Sequence, residues 1–184
     1  MIDKKNPALK IGVLALIVLA VVGIFIFKTV NKKDEVTTPT TSQTQSGDSV
    51  SYPLKITKID IKKVKAYSIP TVIDFGSDSC KPCQAMAPVL EKLNAEWQGK
   101  AAVQFIDVWK YTDGVNDFPV SVIPTQVFFN ANGTPYVPSD RILNSIGGFT
   151  MYSDKTSGEH IFTVHQGGIT EEQMRAIFAE MGVK

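Results

Sequence analysis

The stretch Pro70-Thr71-Val72-Ile73-Asp74-Phe75-Gly76-Ser77-Asp78-Ser79-Cys80-Lys81-Pro82-Cys83 changes character halfway along. Pro70 to Phe75 sets three β-branched residues and an aromatic around a single acid, the composition of a buried strand. Beyond Cys80, Met86, Val89, Leu90, Leu93 and Trp97 recur at helical spacing, which predicts a helix opening near Cys80, apolar on its inward face and kinked at Pro88. A strand that turns directly into a helix is the repeating unit of an α/β domain.

Both cysteines of the chain lie at this turn. A helix N-terminus carries about half a positive charge and unpaired N–H groups, and both favour a thiolate. Lys81 adds a cation, and Pro82 has no N–H to leave unpaired in the first turn. Residues three apart on a helical turn are neighbours, so Cys80 and Cys83 can open and close a disulfide with little backbone movement. By position, Cys80 at the tip is expected to be the exposed attacking thiolate, with Cys83 the shielded resolving sulfur. Two other readings stand beside this one. A static bridge would constrain little chain entropy across two intervening residues. A zinc site would need His160 and His165, about 80 residues downstream.

Working outward, Leu54 to Thr57 reads as a short strand, and Asp60 caps a brief helix through Tyr67. Ala102 to Val108 and Pro124 to Phe129 are further buried strands, the second followed by turn residues Asn130 to Gly133. His160 to His165 is another strand. Thr170-Glu171-Glu172-Gln173 is a capping box with Ile169 and Met174 as its staple, opening a last helix that ends before Gly182.

The 184 residues suffice for one domain with a substantial core, assigned to 52–184. With 19 Lys+Arg against 18 Asp+Glu there is no basic excess for nucleic acid, and no such partner is expected. Two cysteines exclude a multi-bridge scaffold and, alone, a four-ligand zinc site; no metal or cofactor is called for.

Ahead of the domain, Ile11 to Phe27 is apolar throughout, and with its flanks it reaches the roughly 20 residues needed to cross a bilayer. This predicts a short cytoplasmic N-terminus over 1–10 and an anchor over 11–28. A cleaved signal peptide fits less well, because Phe27-Lys28-Thr29-Val30 lacks a small-x-small site. Lysines flank the run equally, so charge leaves orientation undecided. The Thr/Ser-rich segment 29–51 reads as a flexible linker of external type, so the domain is expected outside the membrane.

Several of these motifs together resemble the thioredoxin family, in particular its membrane-tethered bacterial thiol-disulfide oxidoreductases. Val72-Ile73-Asp74-Phe75 before Cys80-Lys81-Pro82-Cys83, the proline helix through Pro88, Ile106-Asp107-Val108, Val122-Ile123-Pro124-Thr125 and Gln166-Gly167-Gly168-Ile169-Thr170 stand in the family's order. The resemblance implies a mixed central sheet flanked by helices, with Asp74 as a buried acid that moves the Cys83 proton. It implies a cis-proline at Pro124, whose neighbours Ile123 and Gly167 would contact substrate, and Lys81 and Pro82 as tuning residues. It also implies protein disulfides as substrates and a thiol-relaying membrane protein as electron donor. Reduction is the expected direction; an oxidase or isomerase, or a tethered binding module without activity, remain alternatives. The sequence departs from the family at Gly76 and Ser79, where tryptophans are common, and at Val103, where many members have lysine. Trp109, Tyr111 and Phe118 are candidates for a replacement apolar rim or for ordinary packing. About 25 extra residues between Gly133 and Gly167 are expected as an added β-hairpin over about 134–160 at the sheet edge.

Overall fold

The computed structural model describes residues 51–184, so the expected anchor and nearly all of the linker lie outside the described residues. Among the described residues, no helix is long and apolar enough to cross a membrane. In chain order the elements are β1 (Lys55–Ile56), α1 (Ile61–Lys65), β2 (Thr71–Gly76), α2 (Lys81–Glu96), β3 (Ala102–Asp107), β4 (Thr125–Phe129), α3 (Asp140–Ile146), β5 (Phe149–Ser153), β6 (His160–Gln166) and α4 (Glu171–Glu180). The strands form one mixed sheet in the order β1-β3-β2-β4-β6-β5. The pairs β1 with β3 and β3 with β2 are parallel; the other three are antiparallel.

All six residues of β2 are buried, as expected of a central strand covered on both faces. On one face, Val72, Val103 and Phe128 pack under Met86, Leu90 and Leu93 of α2 with its C-cap Trp97, and under Met174, Ile177 and Phe178 of α4. On the other, Ile73, Phe75, Ile106 and Val127 pack with Val64 of α1 and with Phe118. Strand alternation divides the side chains between these two cores, and both helix stripes match their 3.6-residue period. The expected caps form: Asp60 accepts the N–H groups of Lys62 and Lys63, and Thr170 and Gln173 close the capping box.

The segment expected as an added hairpin is built differently. Strands β5 and β6 do pair as an antiparallel hairpin, but β6 also pairs with β4 and so belongs to the central sheet, leaving only β5 on the edge. Before them stands a helix that the pattern analysis missed, α3, capped by Ser139 and ended by Gly147. Its signal is short: Ser139 ahead of Asp140, with Ile142 and Ile146 one turn apart. Tyr136, beyond the turn after β4, carries the chain over the first core, where α3 adds Ile142.

Candidate active site

The site is built where β2 ends and α2 begins. Cys80 is the N-cap of α2, with an extended backbone, and its Sγ accepts the Cys83 N–H at 3.3 Å. A sulfur thus holds the place of the usual capping oxygen. The Gln84 N–H reaches the Cys80 carbonyl at 2.9 Å and closes the first turn. Cys80 and Cys83 are joined as a disulfide with Cα atoms 5.2 Å apart. Cys80 is 8% exposed and Cys83 4%, so the expected contrast between an open and a shielded sulfur is small in the disulfide form. The cap position folds the Cys80 sulfur back over the helix end, and the Ile123 carbonyl oxygen stands 4.0 Å from it. Lys81 and Pro82 are exposed beside the pair.

Opposite the sulfurs, the Ile123–Pro124 peptide is cis. The Gly167 N–H donates to the Pro124 carbonyl at 2.9 Å, so Ile123, Pro124 and Gly167, drawn from two segments of the chain, lie together. Val122, next to them in the chain, is exposed, as are Trp109 and Tyr111 just beyond the end of β3. Phe118 is core, its ring 5.0 Å from Phe75 and 5.1 Å from Phe162, so the aromatic trio divides between surface and packing.

The turn itself is held by Asp107 at the end of β3. Its carboxylate accepts the N–H groups of Asp78 and Trp109, each at 3.0 Å, and the Ser77 hydroxyl at 3.4 Å. Lys110 pairs with Asp78 at 2.6 Å and with Asp107 at 3.4 Å.

Asp74 lies behind the disulfide, 1% exposed. The Gln126 Nε2–H donates to its Oδ1 at 2.7 Å, while Oδ2 has no hydrogen-bond partner. Burial pushes its carboxyl up to about 7, against the downward pull of the Gln126 hydrogen bond. The unpartnered oxygen and the Cys83 sulfur border the same space beside Gly76. A Cβ on Gly76 would stand 3.3 Å from both Asp74 Oδ2 and Cys83 Sγ, and 2.8 Å from the Phe105 ring. Glycine at 76, where the resemblance would have put a bulkier residue near the site, leaves the space between acid and sulfur open.

Two residues of this surround were missed as site residues, Gln126 and His165. Gln126 is fully buried and His165 is 4% exposed, with the His165 Nδ1 at 2.7 Å from Gln126 Oε1. The available signal was parity: Gln126 is the polar exception in a strand whose Phe128 is core, so its side chain had to face the same helices.

Fold and site together define an α/β domain with a disulfide at a helix tip, a cis-proline before it and a buried acid behind it. The sequence profile of the Thioredoxin family matches residues 54–141. A thioredoxin of Staphylococcus aureus is 35% identical over 82 residues, which is 45% of this chain and 77% of that protein. Chloroplastic thioredoxin Y of Oryza sativa subsp. japonica is 36% identical over 66 residues, 36% of this chain and 39% of the relative. Mitochondrial thioredoxin of Mus musculus is 38% identical over 56 residues, 30% and 34% of the two chains. The matched stretch therefore spans well under half of the rice and mouse proteins. The solved structure of chloroplastic thioredoxin z aligns over 72% of this chain and 96% of its own, with 21% identity and a TM-score of 0.46. The chain belongs to the thioredoxin family.

Proposed function

We propose that the chain is a membrane-tethered thiol-disulfide oxidoreductase that reduces protein disulfides outside the cytoplasmic membrane. The observation that carries the chemistry is the Cys80–Cys83 disulfide at the N-terminus of α2 with the unpartnered Asp74 Oδ2 behind it. In the reduced form, the Cys80 thiolate is stabilised by the helix end and attacks a substrate disulfide, expelling one substrate sulfur as a thiolate. Cys83 then gives its proton to Asp74 Oδ2, and its sulfur attacks Cys80. The Cys80–substrate bond breaks and the second substrate sulfur leaves. The substrate has gained two electrons and the pair has lost two, returning to the disulfide. The partly exposed backbone at Ile123 and Gly167, beside the buried Pro124, receives an extended substrate segment, with Lys81 and Pro82 tuning the pair.

A carboxyl near 7 suits this role, since it accepts a proton in one half of the cycle and releases it in the other close to neutral pH. The apolar run 11–27 and the polar linker after it support a single span with the domain extracytoplasmic. In an oxidising compartment the pair must be re-reduced, so the partner is a membrane protein that relays thiol electrons. Pro82 and Ile123 favour the reducing direction through their resemblance to that branch of the family.

Redox titration of Cys80 and Cys83 in intact cells with a membrane-impermeant thiol reagent tests direction and location together. A potential toward about −270 mV supports reduction, and one toward about −120 mV makes the chain a disulfide donor instead. Labelling only after lysis removes the extracytoplasmic assignment. Cys80→Ser is expected to reduce insulin no faster than background. Survival of both insulin reduction and the cellular phenotype in that variant removes the reading of the pair as an enzyme's active site.

A further inference from the structure

The sheet register aligns four residues in one rung. Asp74 on β2 is opposite Gln126 on β4, Gln126 is opposite His165 on β6, and His165 is opposite Phe149 on the edge strand β5. Side chains of the first three form a hydrogen-bonded line through an otherwise apolar layer, with 2.7 Å at each link. The polarity of this line follows from the donors available. Gln126 Oε1 only accepts, so the proton of the neutral imidazole sits on Nδ1, and the Gln126 amide nitrogen is then directed at Asp74. The two ends of a glutamine amide are nearly equal in size. Without the His165 N–H, sterics alone do not prevent the amide from turning its oxygen toward the carboxyl. Burial holds His165 down at about 4, which keeps the ring neutral and this arrangement intact through neutral pH.

Strand β5 closes the line at its far end. The Phe149 ring stands edge-on to His165 at 5.1 Å. Gly148 has φ +69, and a Cβ there would meet His165 Nε2 at 2.9 Å and the Gln166 carbonyl oxygen at 3.1 Å, so the backbone passes directly over the ring. At the near end the groups facing Asp74 are Cys83 from α2, Phe105 from β3 and Gln126 from β4, with His165 of β6 behind Gln126. Of these His165 is titratable, and Cys83 becomes so only when the disulfide is reduced.

We propose that Gln126 and His165 are positioning residues of the dithiol exchange: the His165 Nδ1–H sets the sense of the Gln126 amide, whose N–H holds Asp74 Oδ1 and leaves Oδ2 as the oxygen that exchanges a proton with Cys83. The inference rests on the proposed role of Asp74. It gives the edge strand a part in the chemistry, as the cover that keeps His165 dry and neutral.

The test uses the full-length chain in detergent, reading the pH profile of insulin reduction and the carboxyl titration of Asp74 by NMR. Gln126→Leu removes the hydrogen bond to the ionised acid and is expected to raise both midpoints by about one pH unit or more. His165→Phe keeps a ring against Phe149 but loses the donor, and is expected to raise them by a smaller amount. His165→Asn presents an N–H close to the position of Nδ1 and is expected to restore them. Unmoved midpoints in Gln126→Leu and His165→Phe, or equal shifts in His165→Phe and His165→Asn, overturn the positioning role. Should Gln126→Leu not fold, the two His165 variants decide the question. Asp74→Asn separates this from the underlying reading: a profile unchanged in that variant removes the acid from the mechanism and the positioning role with it, whereas a profile abolished there but unmoved at Gln126 and His165 removes the positioning role alone.

Discussion

Asp74 and Asp107 stand on the adjacent parallel strands β2 and β3, are 1% and 4% exposed, and are pushed in opposite directions. Burial raises Asp74 to about 7. Burial also pushes Asp107 upward, yet the N–H groups of Asp78 and Trp109, with Lys110 beside them, hold its carboxyl below the usual range. The difference lies in donors. Asp107 is at a strand end, where a turning backbone offers N–H groups that no ladder claims. Asp74 is mid-strand, where the neighbouring backbone donors are engaged in the sheet, and a single side-chain amide reaches it. Burial alone therefore does not decide the charge of a carboxyl; the free donors within reach do. One acid is held toward its anionic form and pins the turn ahead of α2, and the other, raised toward neutrality, is the group proposed to take and return a proton.

The largest effect that probes this contrast is on stability at alkaline pH. The folded-state value of Asp74 lies above its ordinary 3.8, so the stability linked to its proton is fully present below about pH 4 and is lost as pH rises through about 7. Asp74→Asn is expected to match the parent near pH 4 and to exceed it at pH 8 by up to the order of 4 kcal/mol in urea unfolding. A gain independent of pH would break the assignment. His165 gives the opposite slope. Its value is depressed from 6.5 to about 4, so its contribution is present above about 6.5 and is lost as pH falls through about 4. His165→Asn should remove about 3 kcal/mol of the decline between those values, and a decline of undiminished depth would place the loss elsewhere. The smallest effect is at the anion. Asp107→Asn weakens charge-assisted hydrogen bonds to two backbone N–H groups and should cost about 1–3 kcal/mol at pH 7. The defect should shrink as the parent is acidified, because Asp107 then protonates as well; constancy down to pH 2 would show that its charge is not what holds the turn.

Much of this architecture was readable because its causes are local. Cys80 and Cys83 are three residues apart at a capped helix tip, Pro82 fits the first turn, and the stripe from Met86 to Trp97 has helical period. The caps at Asp60 and Thr170 depend on neighbours within a few positions. Helix α3 escaped because seven residues give less than two helical turns of pattern, and the β-rich sequence after it drew the whole segment into a hairpin reading. His160 and His165 had been weighed as ligands for a metal shared with the cysteines. Folding gives them separate hydrogen bonds, His160 to the Phe162 carbonyl and Thr163 hydroxyl, and His165 to Gln126.

By itself the sequence determined the strand-turn-helix unit and the dithiol at its tip, since helix period, capping and strand alternation act between residues close along the chain, and its resemblance to the thioredoxin family pointed to Asp74 as the acid behind them. Only the tertiary structure decided which groups Asp74 meets. Gln126 is 52 residues away and His165 another 39 beyond it, and they share a rung because the packing of two cores sets the register of β2, β4 and β6. A one-residue slip in any of these pairings would turn the side chains to opposite faces of the sheet. No local preference encodes that choice, so the line from the acid to the edge strand becomes visible only in the folded molecule.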